Sequence, residues 1–187
     1  MNGPRATTSA PSHETGGEGW EAVVRLDDGT RLTFRPIEPS DKARLADLME
    51  RLSEDSRLRR FLTMKRSLSR EELAYLTEVD GIHHLALLAL DEADAVAGVG
   101  RLVRDPNRLD AAEAAIVVAD ALQGRGLGTR LLRLLLTAAR ARTVRWVHLE
   151  MHVDNVAMRR LAERYDATVV QASQGVAHFT IDLAPEA

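Results

Sequence analysis

The order of apolar and polar residues predicts a β-hairpin near the start of the chain. Strand-like runs extend from Glu21 to Leu26 and from Arg31 to Ile37, and Asp27-Asp28-Gly29 between them has the composition of a hairpin turn. Three short apolar runs with helical spacing follow, and each is preceded by a residue that caps helices: Ser40 or Asp41, Ser53, and Ser69. We therefore expect a hairpin followed by a cluster of short helices.

The second half of the chain alternates strands with longer helices. Helical spacing covers Gly126 to Ala141 and Asn155 to Tyr165. Because strand, helix and strand follow one another from Ala111 to Val153, we expect one parallel crossover in a mostly antiparallel α+β sheet. The strands predicted in this half are His84 to Leu90, Ala95 to Val103, Ala111 to Val118, Val144 to Val153, Ala167 to Gln171 and Val176 to Leu183.

Composition limits the partners of this chain. We expect one domain over residues 20–184, after a disordered tail over residues 1–19 that is rich in Gly, Ser, Thr and Pro. A net charge of −3 gives no reason to expect a nucleic-acid partner, and no apolar run is long enough for a membrane span. With no cysteine in the sequence, disulfides and thiolate chemistry are excluded, which suits a soluble cytoplasmic protein.

A glycine-rich loop precedes the long helix. It reads Gln123, Gly124, Arg125, Gly126, Leu127, Gly128 and Thr129. Glycines let the backbone amides approach a ligand, and the first amides of a helix are unpaired and favour negative charge. The loop therefore predicts a pyrophosphate site, to which Arg125 can add a charged contact.

Other interpretations of the loop remain open from the residues alone. A dinucleotide-binding loop needs a third glycine where Thr129 stands, and it follows its strand directly, whereas Ala119 to Gln123 intervene here. A Walker loop needs a Gly-Lys-Ser/Thr sequence, which is absent. A glycine-rich helix start without any ligand is the remaining alternative.

The wider context of the loop resembles the GNAT superfamily of N-acetyltransferases over about residues 20–183. A valine-containing strand, an acidic turn, Q-x-x-G-x-G, a helix, a strand and Asn155 follow in the order typical of that family. Ser53 to Phe61, Gly98 to Pro106 and Asn155 to Ala162 are in addition similar to bacterial Pat-type protein lysine acetyltransferases. The resemblance implies the GNAT fold, with about seven strands, one splayed parallel pair and about four to five helices.

The resemblance also implies a binding site for acetyl-CoA. The free backbone groups of Ile116, Val117 and Val118 would pair with the pantetheine arm as an added strand. The amides of the loop from Gln123 to Thr129 would hold the pyrophosphate. Asn155 and Met158, at the start of the next helix, would contact the cofactor, although Asn155 is equally suited to be a simple helix cap.

Glu113 is the candidate catalytic residue. An amine attacks a thioester only when neutral, so a group must take its proton, and this carboxylate interrupts the otherwise apolar strand from Ala111 to Val118. Burial there would raise its pKa toward that of an effective base, and in the family a glutamate at this strand position is the general base. The alternative is a structural ion pair with Arg101 or Arg104 on the adjacent strand.

Glu150 is a weaker candidate, for contact with the acceptor lysine. His148, Glu150 and His152 alternate on one strand face, a spacing that a metal site shares with any strand, and we expect no metal. Many GNAT enzymes carry a tyrosine seven residues after the asparagine; here Ala162 stands in that position and Tyr165 lies on a different helix face. We therefore assign no general acid.

Three functions follow from this interpretation. The first is acetylation of protein lysine with acetyl-CoA, and the second is acetylation of a small-molecule amine on the same scaffold. The third is an acetyl-CoA-binding module with weak activity. The sequence is compatible with a monomer or a homodimer, and it leaves the acceptor, the acyl-chain specificity and the regulation open.

Overall fold

The computed structural model describes residues 20–184, so the tail predicted over residues 1–19 lies outside the described residues. This part of the chain forms eight strands and five helices. The strands are β1 Ala22–Arg25, β2 Arg31–Pro36, β3 His84–Leu90, β4 Val96–Asp105, β5 Arg108–Val118, β6 Trp146–His152, β7 Thr168–Ser173 and β8 Val176–Asp182. The helices are α1 Lys42–Arg51, α2 Glu54–Phe61, α3 Arg70–Thr77, α4 Leu127–Ala141 and α5 Val156–Glu163.

All eight strands belong to one sheet in the order β1-β2-β3-β4-β5-β6-β8-β7. Every neighbouring pair is antiparallel except β5 and β6, which are parallel and are joined through α4. The predicted mostly antiparallel α+β sheet with one parallel crossover is therefore confirmed, with one strand more than the seven or so expected.

Helix α4 covers one face of the sheet. Its apolar side is buried at Leu127, Leu131, Leu132, Leu135 and Leu136, against β4, β5 and β6. The helix lies close to the sheet because β4 carries glycines beneath it: a Cβ on Gly100 would lie 3.2 Å from a methyl group of Leu135. Helix α5 packs on the same face through Leu161.

Helices α1, α2 and α3 cover part of the opposite face. Leu48 and Met49 of α1 pack on apolar residues of β3 and β4, such as Leu88 and Val99. The predicted serine caps begin α2 and α3, where Ser53 and Ser69 accept hydrogen bonds from backbone N–H groups three residues further on. No helix of the described residues is long and apolar enough to span a membrane.

The parallel strands β5 and β6 separate along their length. Their register runs from Ala111 opposite Trp146 to Ala114 opposite Leu149, and neither strand pairs with the other beyond that point. Strand β5 nevertheless continues to Val118, and α4 starts nine residues later at Leu127. A wedge-shaped opening therefore lies between the two strand ends, close to the glycine loop.

Candidate active site

Alternate backbone groups of β5 point into the opening beside β6. The Ala119 N–H donates to the Ala97 carbonyl on the β4 side at 2.9 Å, whereas the Asp110 carbonyl accepts from the Arg145 N–H on the β6 side at 2.8 Å. Because successive residues of a strand point their backbone groups to opposite edges, Ile116 and Val118 present N–H and C=O to the opening. The backbone groups of Val117 point instead toward β4.

The glycine loop supplies unpaired amides at the end of the opening. Gly124 and Gly126 adopt left-handed conformations, with φ of 74° and 84°, which glycine adopts without steric strain. Within residues 20–184, the backbone N–H groups of Leu127, Gly128 and Thr129 donate no hydrogen bond. These amides form the first turn of the 15-residue helix α4, where the helix dipole adds positive potential.

A hydrogen-bond network joins this loop to the start of α2. The side-chain nitrogen Nε2 of Gln123 donates to Ser56 Oγ at 2.9 Å, to Asp120 Oδ1 at 2.9 Å and to the Val118 carbonyl at 3.2 Å. Asp120 also accepts from the Ser53 N–H at 2.6 Å and from the Ser56 hydroxyl. Burial alone would raise the pKa of Asp120, but these hydrogen bonds outweigh it and hold the pKa below its ordinary value.

The sequence indicated an acidic turn at Asp120 but not this network. The sequence feature that could have indicated the network is the second serine, Ser56, because Ser53 alone is sufficient to cap α2. Through these contacts α2 fixes the conformation of the turn that precedes the glycine loop.

The other predicted cofactor residues lie near the loop with partners of their own. The Arg125 guanidinium forms an exposed ion pair with Asp28 in the β1–β2 turn, at 3.3 Å. Asn155 caps α5 by accepting from the Met158 N–H at 3.1 Å, and the Met158 side chain packs against the core beneath α5. Contact of Asn155 and Met158 with a cofactor stays a prediction.

Glu113 lies on the sheet face that α1, α2 and α3 cover only in part. It stands opposite Val103 of β4 and His148 of β6. Its side chain is exposed, so the expected burial of this carboxylate is wrong: the helices cover the same face further along β5, but not here. Among the described residues Glu113 forms no ion pair, so it is not paired with Arg101 or Arg104 as the structural alternative required.

A cleft of about 360 Å³ adjoins Glu113. Helix α2 contributes Arg60 and Phe61 to its walls, α3 contributes Tyr75, and β4 contributes Arg101. The floor beside Glu113 is Ala115, whose small side chain leaves room above β5. Glu113 is therefore accessible from this cleft.

Glu150 is exposed on the same face of the sheet, on β6. Its carboxylate is 3.7 Å from the His178 imidazole, and His148 Nδ1 is 2.9 Å from the Thr180 hydroxyl. No group of three or more potential metal ligands comes together in residues 20–184. Tyr165 is partly buried against the core beneath α5, so its position gives no reason to assign it as a general acid.

Comparison with known proteins identifies related chains. A family model described as the acetyltransferase (GNAT) domain matches residues 31–168. Acetyltransferase Pat of Mycolicibacterium smegmatis is 31% identical over 163 residues, which are 87% of this chain and 49% of that protein. This chain thus spans about half the length of Pat. Acetyltransferase PA5475 of Pseudomonas aeruginosa is 31% identical over 163 residues, covering 86% of both chains.

A solved structure agrees with these matches. The GNAT domain of S. lividans PAT superposes on this chain with a TM-score of 0.83 at 29% identity, covering 90% of this chain and 99% of that domain. The range of the family model, residues 31–168, includes the splayed strands and the glycine loop that form the opening described above. Sequence and fold together show that this chain belongs to the GNAT family of acetyltransferases.

Proposed function

We propose that this chain transfers the acetyl group of acetyl-CoA to the ε-amino group of a protein lysine, by direct attack and with Glu113 as the general base. The observation that carries the proposal is that an opening lined by backbone groups of β5 that do not pair with β6 ends on unpaired helix amides, with Glu113 on the same strand. The sequence similarity to Pat supports the choice of a lysine acceptor.

The acyl donor fits the opening between β5 and β6. Ile116 and Val118 offer backbone groups to the pantetheine arm, as a strand edge does to an added strand. Their spacing of two residues matches the repeat of strand hydrogen bonding. The amides of Leu127, Gly128 and Thr129 suit the pyrophosphate, since they combine free donors with the positive end of the α4 dipole.

The acceptor amine would approach from the cleft on the α2 and α3 side. A lysine ammonium, with a pKa of about 10.4, has to lose a proton before it attacks the thioester. Glu113 faces this cleft with no competing ion pair among the described residues, so its carboxylate is available to accept the proton. The Ile116 and Val118 amides would also stabilise negative charge on the thioester oxygen.

The experiment that tests this function is acetyl transfer to lysine-containing peptides and proteins, followed by mass spectrometry. For Glu113→Gln we expect kcat to fall by roughly 10²- to 10⁴-fold, the usual contribution of a general base, with little change in acetyl-CoA affinity. Asp110→Asn is the matched control, because it removes an exposed carboxylate of the same strand away from the cleft.

Each alternative gives a different result. Full activity of Glu113→Gln would contradict the base assignment. Turnover of free amines without acetylation of any protein would indicate a small-molecule acetyltransferase. Acetyl-CoA binding without transfer to either acceptor would indicate a binding module.

A further inference from the structure

Arg101 is a buried cation without a carboxylate partner in residues 20–184. Its side chain is only 5% exposed, yet its guanidinium contacts two neutral groups: the His84 imidazole and the Leu76 carbonyl, the latter at 2.7 Å. Its Nε atom is buried and has no hydrogen-bond partner. A buried charge is costly unless it is paired, so this arrangement needs a compensating anion.

Arg60 is a second cation beside it in the cleft. Its guanidinium lies over the Phe61 ring, 5.0 Å from the centroid, and it forms neither a hydrogen bond nor an ion pair with any described residue. Arg60 and Arg101 line the same cleft, and burial together with repulsion from Arg60 lowers the pKa of Arg101 to about 10. Arginine side chains stay protonated in proteins, so the cleft holds two positive guanidinium groups.

The carboxylates of the cleft compensate these two charges only in part. Of the two that line it in the described structure, Glu72 pairs with Lys65. Burial lowers the pKa of Arg60, and the charge of the nearby Glu113 only partly opposes this shift, since the two residues form no ion pair. The cleft therefore has one excess positive charge, contributed by guanidinium groups whose planar donors match a carboxylate.

We propose that Arg60 and Arg101 form a carboxylate subsite for the acceptor, so that the enzyme prefers a lysine flanked by an aspartate or glutamate. This inference deepens the proposed function and depends on it for the identity of the acceptor. Arg101 stands opposite Ala115, and Glu113 stands opposite Val103. Arg101 and Glu113 are thus diagonal neighbours on β4 and β5, with Cα atoms about 7–8 Å apart.

This spacing fits one acceptor segment. In an extended peptide, residues one or two positions apart lie about 3.3–7 Å from each other along the chain, so one segment reaches both places. Its amine would point to Glu113 while its carboxylate meets the two arginines. The same carboxylate chemistry occurs in a free amino acid, whose α-carboxylate and amine are also only a few bonds apart, and the experiment has to separate these two sources.

The test measures acceptor binding and acetyl transfer separately. Binding of two peptides to the CoA-loaded protein is measured by calorimetry; one has glutamate beside its lysine, and the other has glutamine. We expect the glutamate peptide to bind about tenfold more tightly, the effect of one charge-assisted hydrogen bond. Arg60→Gln, which leaves Arg101 in place, should reduce this ratio to about threefold, whereas Arg66→Gln, which removes an exposed charge outside the cleft, should leave it unchanged.

The outcomes separate the subsite from the proposed function. Equal binding of the two peptides to the wild type, or an equal loss of the ratio in Arg66→Gln, would overturn the subsite. If the ratio depends on Arg60 but only free amino acids are acetylated, the subsite stands and the protein acceptor is wrong. Arg101→Lys tests the buried position, and because Arg60 is only partly buried, its variant decides the question even if the Arg101 variant does not fold.

Discussion

Substitution of Gly98 by alanine should weaken coenzyme A binding from a position that does not contact it. Gly98 lies on β4 directly beneath the start of α4. A Cβ there would meet the Val117 carbonyl oxygen at 3.0 Å, Leu131 Cδ1 at 3.1 Å and Leu127 Cδ2 at 3.2 Å. Leu127 is the first residue of α4, so relief of this contact shifts the amides that we assign to the pyrophosphate.

The cost follows from these contacts. The leucine methyl groups can move by a few tenths of an ångström, but the Val117 carbonyl is fixed in the β4–β5 ladder. Overpacking of this kind costs about 1–3 kcal/mol, and the lower entropy of the unfolded chain returns about 0.4–1 kcal/mol. We expect a net destabilisation of about 1–2 kcal/mol, which lowers the urea midpoint by about 1 M.

The assay compares Gly98→Ala with Gly100→Ala by urea unfolding and by calorimetric titration with CoA. Gly100→Ala also overpacks β4 against α4, but its contacts are to Leu135 and Leu131, in the middle of the helix. Both variants should lose stability. Only Gly98→Ala should weaken CoA binding, by about threefold to tenfold, the range expected for partial loss of a hydrogen bond to a charged group.

Two results would refute this reasoning. If both glycine variants weakened CoA binding equally, the position of Leu127 would not control the loop. If Gly98→Ala were as stable as the wild type, the close approach of α4 to β4 would be incorrect.

Three further predictions concern the loop and the cleft. Ser56→Ala removes a hydroxyl from the network that joins α2 to the glycine loop and should destabilise the protein by about 1 kcal/mol, whereas Ser67→Ala, at an exposed position, should not, as read from urea midpoints. Burial and a neighbouring guanidinium lower the pKa of His84 to about 4, so the unfolded state binds more protons below pH 6.5 and stability should fall as the pH drops from about 6.5 toward 4. His84→Gln should flatten that part of the pH profile of unfolding, and an unchanged profile would contradict the assignment. Gly126→Val and Gly81→Val both force a branched residue into a left-handed conformation, with φ of 84° and 69°, and each should cost about 1–2 kcal/mol, but calorimetry should find weaker CoA binding only for Gly126→Val.

The elements of the fold could be predicted because each has a local signal. Alternation, helical spacing, serine caps and glycine turns are properties of neighbouring residues, and they placed all the strands and helices to within a few residues. The largest difference is the start of β5, which lies at Arg108 and not at the predicted Ala111. Polar residues from Arg108 to Asp110 gave no apolar signal there, and they are in the strand because the β4–β5 hairpin pairs the chain up to Asp105 opposite Arg108.

The surroundings of Glu113 could not be predicted in the same way. Alternation correctly separates Glu113 from Ala112 and Ala114, which are buried on the face covered by α4. Which part of the opposite face is covered depends on where α2 and α3 end, at Phe61 and Thr77, which are distant from Glu113 in the chain. The prediction of a buried carboxylate assumed that every residue of the strand is buried, and it is wrong because Glu113 is exposed. The sequence suggested Arg101 only as an ion-pair partner for Glu113. In the fold its guanidinium instead donates to the Leu76 carbonyl of α3.

In the proposed mechanism, Glu113 and Arg101 have separate roles because their surroundings differ. Glu113 is exposed, so a proton that it accepts from an amine can pass directly to solvent and needs no internal relay. Arg101 is buried and is shielded from water, so a carboxylate near it interacts more strongly than one at the surface. Loss of Glu113 should therefore lower kcat for every acceptor to the same extent, whereas loss of Arg60 should change the ranking of acceptors. A Glu113→Gln variant that retained the preference for acidic peptides in binding, with kcat reduced for all of them, would show that proton transfer and acceptor recognition are separate properties of the cleft.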